Sequence, residues 1–191
     1  MVSEFEKNIK PFLKHKGRPL HQYKILEDTF KSNKAAIHMD FSGNYNIKYA
    51  EEVQAFHFGG LRKQISLHTL VVYTKQHNNV KKECFCTLSV SLLHNVCVIC
   101  THLNPIKYLN NVYSVDVLHF ISDKPVTQFR NKTVFYFLSS VLPKLHPKIK
   151  NFTWKYLEAR HGKGAPDGVC GFTKRTLDRL LAQVTDIVDL N

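Results

Sequence analysis

Short apolar runs alternate with polar connections from Lys34 onward, and this pattern predicts most of the regular structure. Four runs rich in β-branched and aromatic residues are separated by charged or Asn/Gly-containing segments, which is typical of a meander of strands. The runs are AAIHMDF, EVQAFHF, QISLHTLVVYT and ECFCTLSVSL. Residues 1–33 are charged and lack a sustained strand pattern, so we expect an N-terminal extension or helical arm there.

The second half of the chain alternates between strand-like and helix-like segments. SVDVLHFIS predicts a central strand that ends at Asp123, and KNFTWKYLE predicts a further strand. NKTVFYFLSSVLPKL predicts a helix that ends around Pro143, because proline disrupts a helix interior. A last helix is expected from Pro166, a favoured first position, to about Gln183. Its apolar residues recur at helical spacing: Val169, Phe172, Leu177, Leu180, Leu181 and Val184.

The order of these segments predicts an α/β protein with one folded domain. A length of 191 residues and a hydrophobic content of 43% suit a single domain with a real core. We place this domain at residues 34–184, after the extension at 1–33 and before a C-terminal tail at 185–191.

Charge narrows the class of partner. Lys and Arg total 27 against 15 Asp and Glu, a formal net charge of +12, which favours a polyanion and first of all nucleic acid. No stretch approaches the apolar length of a membrane-spanning helix, so we expect no membrane association. The opening MVSEFEKNIK lacks the apolar centre of a signal peptide, which predicts an intracellular protein.

The cysteines raise the question of a zinc site. Cys97, Cys100 and His102 form a C-x-x-C-x-H grouping that is incomplete as a zinc finger. Cys84 and Cys86 would point to the same side of a strand. Because these cysteines lie within Val/Leu/Ile-rich runs, we expect them to pack in the core.

Acidic residues at the ends of apolar runs are the main candidates for chemistry. Asp40 and Asp123 follow two such runs, and Glu158 and Asp167 flank a basic, glycine-rich turn. Carboxylates from several segments that converge on one spot can bind Mg²⁺ or Mn²⁺ for phosphoryl transfer on nucleic acid. For each acid taken alone, a turn or helix-capping role remains the alternative.

Basic and neutral polar residues near these acids are candidates for phosphate or water contacts. The HGKG turn beside a helix start suits a phosphate, although it lacks the spacing of a P-loop. The cationic candidates are Arg130, Lys132, Arg160, His161, Lys163, Lys174 and Arg175, and the alternative is a solvated basic helix face. The neutral candidates are Asn44, Gln128 and Asn131. Asp167, Gly171, Lys174 and Asp178 share a helix face that is either solvent or a cleft.

Several of these blocks resemble transposon-derived proteins with a ribonuclease H-like catalytic core. They are HMDFSGNY, HFISDKPVTQFRNKTVFYFLS and WKYLEARHGKGAPDGVCGFTKR. The resemblance implies a mixed β-sheet flanked by helices, with Asp40 as the first acid and Asp123 as the second. It favours Asp167 as the third acid, on the helix after the last strand, with Glu158 as the alternative. The implied activity is metal-dependent DNA cleavage and strand transfer in the nucleus.

The chain departs from this family's pattern at three positions. Gly43 stands where the family has an acid, and Lys124 and Cys170 stand where it has glycine. A recognisable zinc-finger DNA-binding module is also missing from the sequence. Two alternatives therefore accompany the nuclease: a catalytically inactive nucleic-acid-binding module of the same fold, and a structural or protein-interaction role.

Overall fold

A computed structural model describes the part of the chain that carries the predicted strands and helices. The described residues are 33–47, 63–76, 79–95, 98–100, 106–107, 109, 114–123, 128–157 and 164–181. They form a mixed α/β structure with an open, mixed sheet of six strands flanked by helices.

The six strands and the principal helices follow one another in chain order. The strands are β1 (Lys34–Phe41), β2 (Tyr45–Asn46), β3 (Gln64–Gln76), β4 (Asn79–Ser89), β5 (Val117–Ser122) and β6 (Asn151–Tyr156). The helices are α1 (Lys132–Tyr136), a π-helical segment (Phe137–Val141), α2 (Leu142–Leu145) and α3 (Ala165–Leu181). Residues 98–100, 106–107 and 109 are also helical.

β1 lies at the centre of the sheet. It pairs antiparallel with β3 on one side and parallel with β5 on the other, and β6 continues the parallel part beyond β5. β3 also pairs antiparallel with β4, and its first residues pair with the short β2. The carboxyl ends of β1, β5 and β6 therefore meet at one edge, which is the usual place for ligand sites in sheets of this kind.

Most predicted elements are confirmed where the structure describes them. The strands expected around residues 35–41, 64–74, 83–92, 114–123 and 150–158 correspond to β1, β3, β4, β5 and β6. α3 begins one residue before Pro166 and is described to Leu181. The predicted strand EVQAFHF, the extension at residues 1–32 and the tail at 185–191 lie outside the described residues.

The helix that was expected to end around Pro143 instead continues to Leu145. A proline inside a helix lacks an N–H and its ring collides with the carbonyl four residues earlier, here that of Ser139. The π-helical segment Phe137–Val141 contains Ser139 and widens the helix just before the proline. This wider turn explains how the chain stays helical past Pro143.

One face of the sheet is covered by α1, the π-helical segment and α2, and it is apolar. β1 contributes Ile37 and Met39 to this face, and β5 contributes Leu118 and Phe120, all fully buried. Phe120 stacks on Trp154 of β6 with ring centroids 5.0 Å apart.

The other face is packed by α3, through a narrower apolar contact than the sequence predicts. Val169, Cys170 and Leu177 pack on the sheet, but Phe172 is 63% exposed and Leu180 is 46% exposed. The predicted apolar stripe was therefore wrong at Phe172 and Leu180. The side of α3 that meets the sheet includes Cys170 and the polar residues beside it. No helix among the described residues is long and apolar enough to cross a membrane.

Candidate acidic site at the carboxyl ends of the central strands

Asp40 and Asp123 lie side by side at the carboxyl ends of β1 and β5. The two parallel strands pair with His38 opposite Ile121, and the same register two residues later sets Asp40 opposite Asp123. Neighbouring strands lie about 4.8 Å apart, and paired residues of parallel strands point to the same face. Both carboxyl groups therefore belong to the face on which α3 packs.

Asp167 lies in the first turn of α3, above the same edge. Its Oδ2 accepts a hydrogen bond of 2.8 Å from the backbone N–H of Gly164, so it caps the start of the helix. The capping role that the sequence left open is therefore real. The charge of Asp167 also raises the pKa of Asp40 and of Asp123, which means that the structure brings all three predicted acids together.

Burial and nearby acidic charges raise the pKa of two of the three acids, Asp40 and Asp123. Burial and the charges of Asp123 and Asp167 raise the pKa of Asp40 to about 7, against a smaller opposing effect of a backbone hydrogen bond at Phe41. Burial, followed by the charge of Asp167, raises the pKa of Asp123. Partly buried carboxyl groups whose pKa is raised by burial and by like charges are typical of sites that hold a proton or a cation.

His38 is a member of this site that the sequence analysis did not single out. It precedes Asp40 by two residues on β1, so it lies on the same face, and it is only 1% exposed. Burial lowers the pKa of His38 to about 4, partly opposed by the charge of Asp167. The imidazole is therefore neutral at physiological pH. Its signal in the sequence is the H-x-D spacing on an alternating strand.

A bulge directly after Asp40 connects β1 to α3. Phe41 pairs with His68 and Tyr45 pairs with Ile65, so three residues of one strand face two of the other. The carbonyl oxygen of Gly43, within this bulge, accepts a hydrogen bond of 2.6 Å from Lys174 Nζ of α3. Lys174 was predicted to contact phosphate, but in this structure its ammonium group holds the backbone next to the first acid.

A second contact of the same kind follows one turn further along α3. The hydroxyl of Tyr45 donates a hydrogen bond of 3.0 Å to Asp178 Oδ1, and burial followed by this bond raises the pKa of Tyr45 to about 12. Along α3, Asp167 thus lies near Asp40, Lys174 contacts Gly43, and Asp178 contacts Tyr45. The helix face that was either solvent or a cleft therefore faces the sheet edge. We call the Lys174–Gly43 and Asp178–Tyr45 contacts the helix clamp.

A buried network supports the strand end that carries Asp123. Ser122 is fully buried, and its hydroxyl donates a hydrogen bond of 3.0 Å to the carbonyl oxygen of Asp123. The indole Nε1 of Trp154 donates to the same hydroxyl at 2.9 Å. These bonds join β5 to β6 and fix the backbone from which the second carboxyl group projects.

The predicted cationic residues are distributed over several places. Arg130 lies at the carboxyl end of β6, where its charge opposes the burial that raises the pKa of Tyr156. Lys132 is exposed at the start of α1. The guanidinium group of Arg175 lies over Gly171, because a Cβ atom added there would sit 3.3 Å from Nη1. Arg160, His161, Lys163 and the alternative acid Glu158 lie outside the described residues.

Two of the three neutral candidates, Asn131 and Asn44, have structural partners. Asn131 caps α1, and its side-chain oxygen accepts hydrogen bonds from the backbone N–H groups of Thr133 and Val134 at 3.1 and 3.0 Å. The amide of Asn44 donates to Gln64 Oε1 at 3.4 Å. The side-chain oxygen of Asn131 is therefore committed to the helix start, and its role in positioning water or phosphate stays a prediction.

The donor chemistry of the three carboxyl groups suits a hard divalent cation. Within the described ranges, no group of three or more His, Cys, Asp and Glu side chains is arranged to hold a metal ion. After burial, nearby acidic charges raise the pKa of Asp40 and of Asp123, and Asp167 contributes to both, so the three carboxyl groups are neighbours at this edge of the sheet.

Three described cysteines pack as the sequence predicts. Cys86 and Cys170 belong to one apolar cluster between β4 and α3, and Cys100 packs against the main core. Cys84 is exposed, which contradicts the expectation of core packing for that residue. Cys97 and His102 lie outside the described residues.

Two of the three departures from the resembling family fall in the described region. Gly43 has open space where a Cβ atom would lie, so the position would admit the acid that the family carries. Cys170 is buried between α3 and the sheet, where a small side chain contributes packing. Lys124 lies outside the described residues.

A family model described as a domain of unknown function (DUF8701) matches residues 21–189. Comparisons with curated proteins and with solved structures give no match.

Proposed function

The chain belongs to the DUF8701 family of domains of unknown function, and we propose that it is a transposase-derived, ribonuclease H-like domain that cleaves DNA and transfers strands. The proposed cofactor is Mg²⁺ or Mn²⁺, held by Asp40, Asp123 and Asp167. The proposed place of action is the nucleus, as in the proteins that the sequence blocks resemble.

One observation carries the proposal: three carboxyl groups from three separate elements meet on one face at one edge of the sheet. Asp40 lies on the opening strand, Asp123 directly follows β5, and Asp167 lies on the helix after β6. The resembling family has its acids on corresponding elements. The sheet, in which β1 is antiparallel to β3 and parallel to β5 and β6, agrees with the mixed sheet expected for a ribonuclease H-like fold.

Electrostatics support a cation at this place. Burial and then repulsion by Asp123 and Asp167 raise the pKa of Asp40, and a divalent positive charge between the acids would relieve that repulsion. Oxygen ligands from carboxylates suit Mg²⁺ and Mn²⁺. When bound, such ions activate water and stabilise the charge that develops on a phosphate undergoing attack.

The residues of the chain would bind and position in this reaction. Asp40, Asp123 and Asp167 would hold the cation, and the helix clamp holds α3, which carries Asp167, against the segment that follows β1. Neutral His38 lies beside Asp40 and adds no positive charge that would compete with the cation. Ser122 and Trp154 would keep the backbone of Asp123 in place.

The test is nicking of supercoiled plasmid by the purified protein in Mn²⁺. We expect Asp40→Asn and Asp123→Asn each to reduce the nicking rate at least 100-fold, as losses of groups that stabilise developing charge do. Asp116→Asn is the matched control, because Asp116 lies just before the amino end of the strand that Asp123 follows, where it bonds to Asn33. Nicking that survives in both Asn variants would refute the metal site.

The second candidate is an inactive nucleic-acid-binding module of the same fold. The observation in its favour is that the described acids are not arranged as metal ligands. This candidate predicts salt-dependent DNA binding by the parent protein with no nicking and no response to Mn²⁺. A protein that shows neither nicking nor salt-dependent binding would instead have a structural or protein-interaction role.

A further inference from the structure

The face of the sheet that carries the acids also carries positive charge further from the edge. Strand alternation and register place Lys34 of β1, His119 of β5, and Thr153 and Lys155 of β6 on this face. Val169 of α3 packs on the same face against Ala36, Ile121 and Leu157. We call Lys34, His119 and Lys155 the basic patch.

His119 is the member of the basic patch that both lysines affect. His119 Nδ1 lies 2.6 Å from Thr153 Oγ1 on the neighbouring strand. After burial, the charges of Lys155 and Lys34 are what lower the pKa of His119, so both ammonium groups act on this one imidazole. Lys155 is exposed, and Lys34 and His119 are partly exposed.

The patch and the acids lie on one face of the sheet, on either side of the apolar cluster with Ile121 that Val169 of α3 covers, so a polyanionic strand that reaches both passes beside this helix. His119 precedes Asp123 by four residues on the same strand, which is about 13 Å at 3.3 Å per residue. A nucleic-acid strand carries one charge per roughly 3.4 Å of axis, so this distance corresponds to about four phosphates. The acids alone repel such a strand, and the patch supplies positive charge on the same side of the sheet.

We propose that Lys34, His119 and Lys155 bind the phosphodiester backbone of DNA a few phosphates away from the acidic site. The lysines contribute charge, and the imidazole, already positioned by Thr153, contributes a hydrogen bond. The location of the scissile phosphate rests on the proposed function. Binding by the patch does not depend on cleavage.

The test compares two double variants that each remove two positive charges. Lys34→Gln with Lys155→Gln alters the patch, whereas Lys144→Gln with Lys148→Gln alters two exposed lysines on α2 and the turn after it. Binding of a fluorescent 20-base-pair DNA duplex is measured without divalent metal at several salt concentrations. For the patch variant we expect roughly tenfold weaker binding and a salt slope smaller by about 1.8, which corresponds to two lost phosphate contacts.

The control variant should lose less than a third of that slope, and both variants should keep the melting temperature of the parent. Equal losses in the two variants would overturn the proposal, because they would mean that the net charge of +12 acts without a preferred surface. An unchanged slope in the patch variant would overturn it as well. Stronger patch-dependent binding to an RNA hairpin than to the duplex would overturn the assignment to DNA.

A further variant separates this inference from the proposed cleavage. Asp40→Asn should abolish nicking and leave the salt slope of the patch intact. If the parent protein never nicks DNA but the two lysine pairs differ in salt slope, the proposed reaction is refuted and the basic patch stands. If the parent nicks DNA and the two lysine pairs do not differ, the basic patch is refuted and the proposed reaction stands.

Discussion

The two faces of the sheet consist of alternate residues of the same strands, but they differ in what they bury. On the face under α1 and α2, β1 presents Ile37 and Met39 to a continuous apolar core. On the face under α3, the neighbouring positions of the same strand are His38 and Asp40, whose pKa values are both displaced by burial. The face under α1 and α2 stabilises the fold. The face under α3 stabilises it less, because it holds titratable groups close together, as active sites commonly do.

The largest expected effect tests the apolar face. Phe120→Ala removes a fully buried ring that stacks on Trp154, and we expect it to lower the free energy of unfolding by about 3–5 kcal/mol. Urea unfolding followed by fluorescence would measure this. Phe135→Ala on α1 is the control, since Phe135 is 49% exposed and its loss should change stability by less than about 0.5 kcal/mol. A similar cost for both variants would contradict the assignment of the core.

The second prediction has the opposite sign. Asp40→Asn should raise the free energy of unfolding by about 1–2 kcal/mol at pH 8, because it removes a carboxylate whose ionisation burial and two neighbouring acids oppose. Between the ordinary pKa of 3.8 and the folded pKa of about 7, the folded protein holds a proton that the unfolded chain releases. Stability from this group is therefore present below pH 4 and lost as the pH rises through 7.

Urea unfolding of the parent and the Asn variant at pH 4 and pH 8 would measure this difference. The free energy of unfolding of the parent is subtracted from that of the variant at each pH, because His38 affects both proteins. With its pKa lowered to about 4, His38 has the reverse dependence, and its contribution to stability is lost as the pH falls. The prediction would be contradicted if the variant were less stable than the parent at pH 8, or if the difference in the free energy of unfolding did not depend on pH. Either result would mean that the face under α3 does not lose stability by holding Asp40.

The smallest expected effect sharpens the comparison at the helix clamp. Lys174→Met and Tyr45→Phe should each lower the free energy of unfolding by about 0.5–1.5 kcal/mol, the usual contribution of one hydrogen bond. Both should also lower the pKa of Asp40, because α3 would hold Asp167 less firmly beside it. Carboxyl-carbon NMR titration would follow that pKa.

Thr176→Val is the control for the clamp. The Thr176 hydroxyl bonds to the carbonyl oxygen of Phe172 within α3, away from the acids. This variant should leave the pKa of Asp40 unchanged. A clamp variant that loses stability but keeps the pKa of Asp40 would mean that the clamp supports the fold without positioning the third acid.

The sequence predicted the positions of the acids because strand ends can be read locally. Asp40 and Asp123 each follow a recognisable apolar run, and their encounter follows from the parallel pairing of β1 with β5. Two further features were also predictable from local sequence. Alternation along β1 already placed His38 on the face of Asp40, and an asparagine before a helical run, as at Asn131, is a usual cap.

The role of Lys174 could not be read from its surroundings in the sequence. A lysine on a basic helix face suggested phosphate, but its partner Gly43 lies 131 residues away and accepts the bond through its backbone. The bulge that presents this carbonyl arises from a one-residue shift in register between β1 and β3, which no local pattern encodes. The exposure of Phe172 was missed for a related reason, since helical spacing does not say which side of α3 meets the sheet.

The long separation between the clamp partners also sets an order of events during folding. The partners in the two clamp contacts are separated by 131 and 133 residues along the chain. We expect them to meet after the strands between them have paired, because closing such long loops early costs entropy that no local contact repays. Asp40 and Asp123 would therefore come together first, through β1 and β5, and Asp167 would join when α3 docks. Until that docking, Asp40 lacks the charge of Asp167, which adds to the effects of burial and of Asp123 on its pKa, so we expect the complete acidic site to be among the last parts of the molecule to form.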